Sequence, residues 1–228
     1  TGFCPGKSVS DNARVHLGRK NVLKVDLHDF FPSIRSPRVR AAFREMGYSR
    51  PIAKVLAELC CLRCCLPQGA PTSPALSNII AYPMDKKMMA LAGEYGLVYT
   101  RYADDLTFSG DYLPKDEVLV RIHRIIREEG FTMNVKKTRF LSEHKRKIIT
   151  GVSVSSGKKM TLPKVKKREI RKNVHYVLTK GLVGHQEHIG STDPVYLKRL
   201  LGSLCYWRSI EPDNRYVSDS ITALKRLM

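Results

Sequence analysis

Three aspartates stand where predicted β-strands end, and their type and placement point to metal-dependent chemistry. Asp26 follows the apolar run of residues 22–25, and Asp104 and Asp105 are adjacent inside residues 97–109, a segment rich in aromatic and β-branched side chains. This composition predicts a hairpin with the two carboxylates at its tip. If the two strands are neighbours in one sheet, the acids lie close together, which is costly unless cations neutralise them.

The cations that suit such a group of oxygen atoms are hard divalent ions. Mg²⁺ takes oxygen ligands and is usually held by one or two carboxylates together with substrate phosphates. Two such ions roughly 3.5–4 Å apart can activate an attacking hydroxyl and stabilise the leaving oxygen of a phosphoryl displacement. The sequence therefore predicts phosphoryl transfer, with the alternative that adjacent aspartates only favour a turn.

The charge of the chain indicates the kind of partner. The 228 residues carry 40 Lys and Arg against 21 Asp and Glu, a formal net charge of +19. Such an excess attracts phosphate without sequence readout, so we expect a polyanionic partner. The alternative is a merely soluble basic protein.

Residues 158–180 contain nine Lys and Arg but a single acid, Glu169. This predicts a helix that follows a nucleic-acid backbone or, alternatively, a solvated helical face.

Composition and the chain start exclude several other classes. Hydrophobic residues make up 43% of the chain, enough for a core rather than disorder. No apolar run is long enough to span a membrane and no signal pattern opens the chain, which predicts a cytoplasmic protein without a membrane partner. The missing initiator Met predicts further residues upstream of Thr1.

Four cysteines stand close together, at positions Cys60, Cys61, Cys64 and Cys65. They could form half a zinc site or a redox pair, but we expect them to be small apolar fillers at a helix end.

The elements that must position the aspartates alternate between helix and strand. Apolar residues at helical spacing, with proline or glycine near the ends, predict helices over residues 36–47, 49–62, 73–93 and 116–129. In the second of these helices, one face carries Ile52, Val55, Leu56 and Leu59. Two further short strands are predicted over residues 131–141 and 148–154. The predicted fold class is α+β.

Four segments resemble, in order and spacing, the palm motifs of reverse transcriptases. They are residues 25–34 (VDLHDFFPSI), 66–74 (LPQGAPTSP), 102–105 (YADD) and 130–138 (GFTMNVKKT). Two more, residues 12–16 (NARVH) and 149–151 (ITG), resemble the N-A-x-x-H and V-T-G signatures of bacterial retron reverse transcriptases, with Ile149 in place of valine. The resemblance covers nearly the whole chain.

The resemblance implies a reverse-transcriptase palm, a small antiparallel sheet with packed helices, followed by a helical thumb. Residues 1–21 would be the remnant of the junction between fingers and palm. Residues 22–157 would be the palm with the catalytic site, and residues 158–228 the basic thumb. The fingers segments that the family places before the palm would lie upstream of Thr1.

The resemblance also assigns the catalytic group. Asp26 and Asp104 would ligate two Mg²⁺ ions, for which Mn²⁺ can substitute, with the Leu27 carbonyl as a further ligand. Asp105 would be an adjacent, less direct contributor. Lys137 would protonate the departing pyrophosphate as a general acid, with the alternative that it is an ordinary surface lysine.

Two segments would bind the incoming nucleotide. Asp29 and Phe30 would border its triphosphate through backbone amides, and Phe31 falls where the family places an aromatic gate that excludes a 2′-hydroxyl. If the strand continues, Phe30 and Phe31 point to opposite faces, and Phe30 is the better core residue. Gln68 and Gly69 would touch the sugar and the templating pair, where glycine allows close approach of the backbone.

The basic helix would grip duplex and structured RNA through the backbone and the A-form shape. Its contacts would be Lys164, Lys166, Lys167, Arg168, Arg171 and Lys172. The implied partners are deoxynucleotides, an RNA–DNA duplex, a structured noncoding RNA and an accessory effector protein of antiphage defence. Asn12 and His16 would support the junction of fingers and palm or contact RNA, and His16 is expected to be structural.

The function that this resemblance implies is RNA-directed DNA synthesis of the retron type, which copies a structured noncoding RNA into single-stranded DNA. A reverse transcriptase of a group II intron or of a diversity-generating element is the second enzymatic hypothesis. A non-catalytic RNA-binding scaffold is a third. A palm-fold nucleotide cyclase would leave the basic C-terminal region and the loop of residues 66–74 unexplained.

Overall fold

A four-stranded antiparallel sheet forms the centre of the computed structural model, which describes residues 2–227. Its strands are β1 Asn21–Asp26, β2 Val98–Tyr102, β3 Asp105–Gly110 and β4 Arg139–Leu141, in the spatial order β2-β3-β1-β4. All of these pairings are antiparallel. β5 Ile148–Ile149 and β6 Val152–Ser153 form a separate hairpin. The predicted small antiparallel sheet is therefore confirmed.

Helices make up most of the rest of residues 2–227. They are α1 Val9–Arg14, α2 Phe30–Ser33, α3 Ser36–Glu45, α4 Arg50–Cys60, α5 Ser73–Glu94, α6 Lys115–Glu128, α7 Lys164–His188, α8 Tyr196–Ile210 and α9 Arg215–Lys225. Helices α3, α4 and α5 have proline in their first two positions, where its missing N–H is not needed. The predicted α+β class is confirmed.

Two hydrophobic clusters cover the two faces of the sheet. Leu23 and Val25 of β1 belong to the first cluster and Val22 to the second, because successive side chains of a strand point to opposite faces. The first cluster is completed mainly by α3, α5 and α6. The second contains side chains of α7, α8 and α9 around the fully buried Trp207. Packing on both faces fixes the ends of the central strands.

The apolar face predicted for α4 does not point into the core. Ala53 and Ala57 are the buried residues of this helix, whereas Ile52, Val55 and Leu59 are 50%, 54% and 79% exposed. The large apolar residues share a face, as predicted, but that face is turned away from the core. The small alanine side chains allow α4 to lie against the rest of the domain through its opposite face.

Both short strands predicted after α6 are wrong in part. Only Arg139–Leu141 joins the sheet, and residues 131–138 run irregularly across the end of β1. Residues 148–154 turn back on themselves at Thr150 and Gly151, whose φ angles of 45° and 81° are left-handed. The single strand expected there is therefore a tight hairpin.

The cysteine-rich segment follows α4. All six cysteines are free thiols. Cys60 and Cys61 pack against the first cluster, as expected for apolar fillers, but Cys64 is exposed. Within residues 2–227, no helix combines the length and the apolar character that crossing a membrane requires.

Candidate active site

The structure brings the three aspartates together at one end of the sheet. Asp26, the last residue of β1, is paired in register with Asp105, the first residue of β3. The two-residue turn between β2 and β3 contains Asp104, and the Leu27 amide donates a hydrogen bond to the Asp104 carbonyl over 3.0 Å. Ala103 enters this turn with a left-handed φ of 54°. The hairpin tip predicted from the sequence is therefore next to the end of β1.

Asp26 is the most buried acid of the group. It is 7% exposed, and its backbone carbonyl accepts a hydrogen bond from the Asn134 amide over 2.7 Å. Its Oδ2 accepts a hydrogen bond from Lys137 Nζ over 3.2 Å, while Oδ1 is buried and has no hydrogen-bond partner among the described residues. An unpaired buried carboxylate oxygen is unfavourable, so a cation that reached this atom would be stabilised there.

The charges of the site act on one another. Burial raises the pKa of Asp104 above its ordinary value, and the negative charges of Asp105 and Asp26 raise it further. The hydrogen bond to Asp26 raises the pKa of Lys137, and the Asp104 and Asp105 charges act in the same direction. The lysine is therefore protonated at neutral pH and partly compensates a cluster of acids.

The cluster offers carboxylate oxygens, which are the donors that hard divalent cations prefer. Among residues 2–227, no group of three or more His, Cys, Asp and Glu side chains is arranged to hold a metal ion. Mg²⁺ is commonly bound by one or two carboxylates plus substrate phosphates and water. The free Oδ1 of Asp26 and the neighbouring Asp104 supply such a pair. Whether the Leu27 carbonyl is a ligand stays a prediction.

The residues predicted to border the nucleotide follow β1 directly. The strand does not continue, because Phe30–Ser33 forms the helical turn α2 after Asp29, whose φ is 46°. The argument from strand alternation is therefore wrong, although Phe30 is indeed buried and packs on Phe131 at a ring distance of 5.5 Å. Phe31 is half-buried, with its ring 5.4 Å from that of Phe30.

Gln68 and Gly69 are exposed in the loop before α5. Gly69 has a φ of 94°, which favours glycine, but a Cβ atom there would meet nothing within 4 Å. The glycine is thus explained by backbone conformation within this chain rather than by close approach of another chain segment. The described hydrogen bonds and ring contacts do not link these two residues to the aspartates, and their role stays a prediction.

The six basic residues predicted to bind nucleic acid divide into two groups on α7. Lys164, Arg168 and Lys172 are exposed at intervals of four residues and so form one ridge. The other three make intramolecular contacts: Lys166 with Glu169 at 2.9 Å, Lys167 with Glu211 at 2.6 Å, and Arg171 over the rings of Trp207 and Tyr216 at 5.4 and 5.2 Å. The three ridge residues are therefore the members of this set that have no ion pair or ring contact among the described residues.

His16 is structural, as expected. It is fully buried, with Nδ1 2.6 Å from Ser109 Oγ and Nε2 2.8 Å from Thr100 Oγ1. Desolvation, assisted by the Arg19 charge, lowers its pKa to about 4. Asn12 Nδ2 lies 3.5 Å from Thr150 Oγ1. The two signature segments, residues 12–16 and 149–151, therefore contact each other.

One basic surface was not predicted from the sequence. Arg40 and Arg44 of α3, with Arg50 and Lys54 of α4, line a groove of about 550 Å³. Each helix contributes two cations four residues apart, which places them on one face. This spacing is visible in the sequence, but only the packing of α3 on α4 brings the two pairs together.

Comparisons with known proteins identify the family of the chain. The sequence matches the family described as Reverse transcriptase (RNA-dependent DNA polymerase) over residues 1–177. The retron Ec86 reverse transcriptase of Escherichia coli is 39% identical over 190 residues, which cover 82% of this chain and 58% of the relative. The retron Mx65 reverse transcriptase of Myxococcus xanthus is 37% identical over 232 residues, which cover 93% and 51%.

The chain thus spans about half the length of these curated relatives. Among solved structures, a telomerase from Candida albicans aligns with 96% of this chain and 48% of its own, at 12% identity and a TM-score of 0.46. The family match covers well over half of the sequence and includes every residue of the aspartate cluster. The chain therefore belongs to the reverse transcriptase family.

Proposed function

We propose that this chain catalyses RNA-directed DNA synthesis of the retron type. The observation that carries the proposal is the meeting of Asp26 with the Asp104–Asp105 tip, in which one buried carboxylate oxygen has no partner among the described residues. The similarity to retron reverse transcriptases favours this activity over that of an intron or diversity-generating enzyme. The reaction joins the 3′-hydroxyl of a growing strand to the α-phosphorus of a deoxynucleotide and releases pyrophosphate.

Asp26 and Asp104 are the residues proposed to hold Mg²⁺, with Asp105 and the Leu27 carbonyl in support. Bound Mg²⁺, or Mn²⁺ in its place, supplies the positive charge that activates the hydroxyl and stabilises the leaving oxygen. Lys137 compensates Asp26 until the site is loaded, and its raised pKa keeps it protonated. Once released from Asp26, it can donate a proton to the leaving pyrophosphate.

The remaining site residues are proposed to hold the nucleotide and the template. Phe31 would exclude a 2′-hydroxyl, Asp29 and Phe30 would border the triphosphate, and Gln68 and Gly69 would meet the sugar and the templating base. The exposed ridge of α7 would follow the backbone of a structured noncoding RNA and of the RNA–DNA duplex. The accompanying domain proposal is a palm over residues 22–157 and a thumb over residues 158–228.

The biological setting is also a proposal. A structured noncoding RNA would serve as template and primer, and an accessory effector protein of antiphage defence would use the product. Six free thiols are compatible with a reducing cytoplasm.

Primer extension tests the activity. The full-length protein is incubated with its cognate RNA, deoxynucleotides and Mg²⁺. The product of Asp104→Asn is compared with that of wild type. Asp116→Asn is the matched control, because this carboxylate is 93% exposed at the start of α6. We expect DNA synthesis from wild type and from the control. Asp104→Asn should reach neither the rate nor the amount of product of wild type. Equal product from all three proteins would refute the proposal, and salt-sensitive RNA binding without synthesis would indicate a scaffold.

A further inference from the structure

The N-terminal residues 2–4 lie against the hairpin that carries Asp104. The Gly2 amide donates a hydrogen bond to the Arg101 carbonyl over 3.2 Å. The Gly2 carbonyl accepts one from Asn78 Nδ2 of α5 over 2.8 Å. A Cβ atom at Gly2 would lie 2.9 Å from the Ala103 nitrogen, closer than side chains tolerate. The segment is therefore held between β2 and α5, in direct contact with the turn.

This attachment places the Phe3 ring beside the proposed nucleotide gate. Its centroid is 6.3 Å from that of Phe31 and 5.7 Å from that of Tyr102, distances at which aromatic pairs attract each other. Phe3 is 43% exposed and belongs to neither hydrophobic cluster. Its φ of 58° is left-handed, an unfavourable conformation for a residue other than glycine. Core packing thus does not account for this ring.

We propose that Phe3 is a positioning residue that fixes the ring of Phe31 and so sharpens selection of deoxynucleotides. The inference rests on the proposed function. Phe31 is only half-buried, and the Phe30 ring contacts it at 5.4 Å. A gate that rejects one hydroxyl by steric exclusion works only if its ring cannot turn aside. Contact with Phe3 removes rotamers that would open the space beside the sugar.

The contact with Tyr102 gives Phe3 a second anchor. Tyr102 is the last residue of β2 and pairs in register with Asp105. The Phe3 ring therefore contacts both the gate and the strand end that precedes Asp104. We expect the distance between the gate and the catalytic turn to depend on this ring, so that Phe3 affects discrimination between sugars more than the rate with the correct one.

Single-nucleotide incorporation tests the proposal. The specificity constant kcat/KM is measured for a deoxynucleotide and for the matching ribonucleotide, in wild type and Phe3→Ala. We expect discrimination to fall by about threefold to tenfold, the factor that corresponds to loss of one aromatic pair. Phe3→Tyr keeps the ring and should preserve it. Tyr112→Ala is the matched control, since this aromatic side chain is 77% exposed.

A double mutant separates positioning from a merely structural role. If Phe3 acts through Phe31, Phe3→Ala should change discrimination little in a Phe31→Ala background. The melting temperature of Phe3→Ala should fall by only about 2–4 °C, the shift that loss of one such aromatic pair causes in a chain of this size. Wild-type discrimination in Phe3→Ala, or an equal effect in both backgrounds, would overturn the inference while leaving the polymerase proposal intact. Wild type that incorporates no deoxynucleotide would overturn both.

Discussion

Lowering the pH should destabilise the fold by protonating His16. This happens in a pH range in which other residues contribute little to the change in stability. The ring is fully buried, and its pKa is about 4 against an ordinary value of 6.5. Because the folded pKa is lower than the unfolded one, protons bind preferentially to the unfolded chain. The neutral ring's contribution to stability is thus complete above about pH 6.5 and is lost as the pH falls towards 4.

The magnitude follows from the size of this shift. One pKa unit corresponds to about 1.4 kcal/mol, so a shift from 6.5 to about 4 makes the full loss about 3 kcal/mol. Between pH 7.5 and 5.5, the two-state titration gives a loss of about 1.3 kcal/mol in the free energy of unfolding. Most carboxylates remain ionised over this interval, so the change is attributable mainly to histidines.

Urea unfolding at pH 7.5 and 5.5 measures the effect. His16→Gln keeps polar atoms near Thr100 and Ser109 but does not titrate, so its stability should change by about 1.3 kcal/mol less than that of wild type over this interval. His123→Gln, at an exposed position of α6, is the control and should follow wild type. The pKa of His185 is also lowered, mainly by burial, but its contribution is common to all three proteins. Identical pH profiles for wild type and His16→Gln would refute the assignment of a buried, neutral His16.

Three further changes test other parts of the structure. Asp85→Asn should lower the free energy of unfolding, measured by urea titration, by about 3 kcal/mol. The reason is that Asp85 pairs with the buried Arg101 at 2.6 Å and accepts a hydrogen bond from Tyr99. A change below about 1 kcal/mol, similar to that of an exposed pair, would contradict this. Lys137→Met should slow single-turnover incorporation by about 100-fold, since the proposed general acid is lost. It should also tighten Mn²⁺ binding to the free protein, because the cation that competes for Asp26 is gone. Unchanged rate and affinity would show that Lys137 is not part of the site. Replacing Lys164, Arg168 and Lys172 with Gln should lower the number of ions released on RNA binding by about two to three, measured from the salt dependence of affinity by fluorescence anisotropy. Lys167→Gln, which breaks a pair with Glu211, should act mainly on stability. Equal salt slopes would mean that the ridge does not contact RNA.

Local patterns were sufficient to predict much of the fold, but not which face of a helix is buried. Helical spacing correctly placed Ile52, Val55 and Leu59 on one side of α4, yet the core lies against Ala53 and Ala57. Periodicity reports which side chains are neighbours and carries no information on what lies opposite. Similarly, one strand was predicted over residues 148–154, whereas two consecutive left-handed residues reverse the chain there.

The candidate site was predictable where its residues lie at the ends of strands. Asp26 and Asp104 could be identified because predicted strands place them, because the hairpin between β2 and β3 is encoded locally, and because both lie in segments that resemble reverse-transcriptase motifs. The ion pair between Lys137 and Asp26 joins residues 111 positions apart, and no local pattern specifies such a contact. The same holds for Phe3, whose ring reaches Phe31 only because Gly2 is attached to the end of β2.

The balance of charge at the end of β1 is itself an argument for a cation-binding site. Three aspartates meet there, and Asp26 and Asp104 are partly removed from water. The contact with Lys137 satisfies one oxygen of Asp26 and leaves the other without a partner among the described residues. A structural ion pair would be expected to satisfy both oxygens, since a buried acceptor left unpaired costs about 1–3 kcal/mol. Under the proposed function, the stability lost to this incomplete pairing would be recovered when a divalent cation and a nucleotide phosphate enter, so the cluster of acids would serve binding rather than hold the fold together.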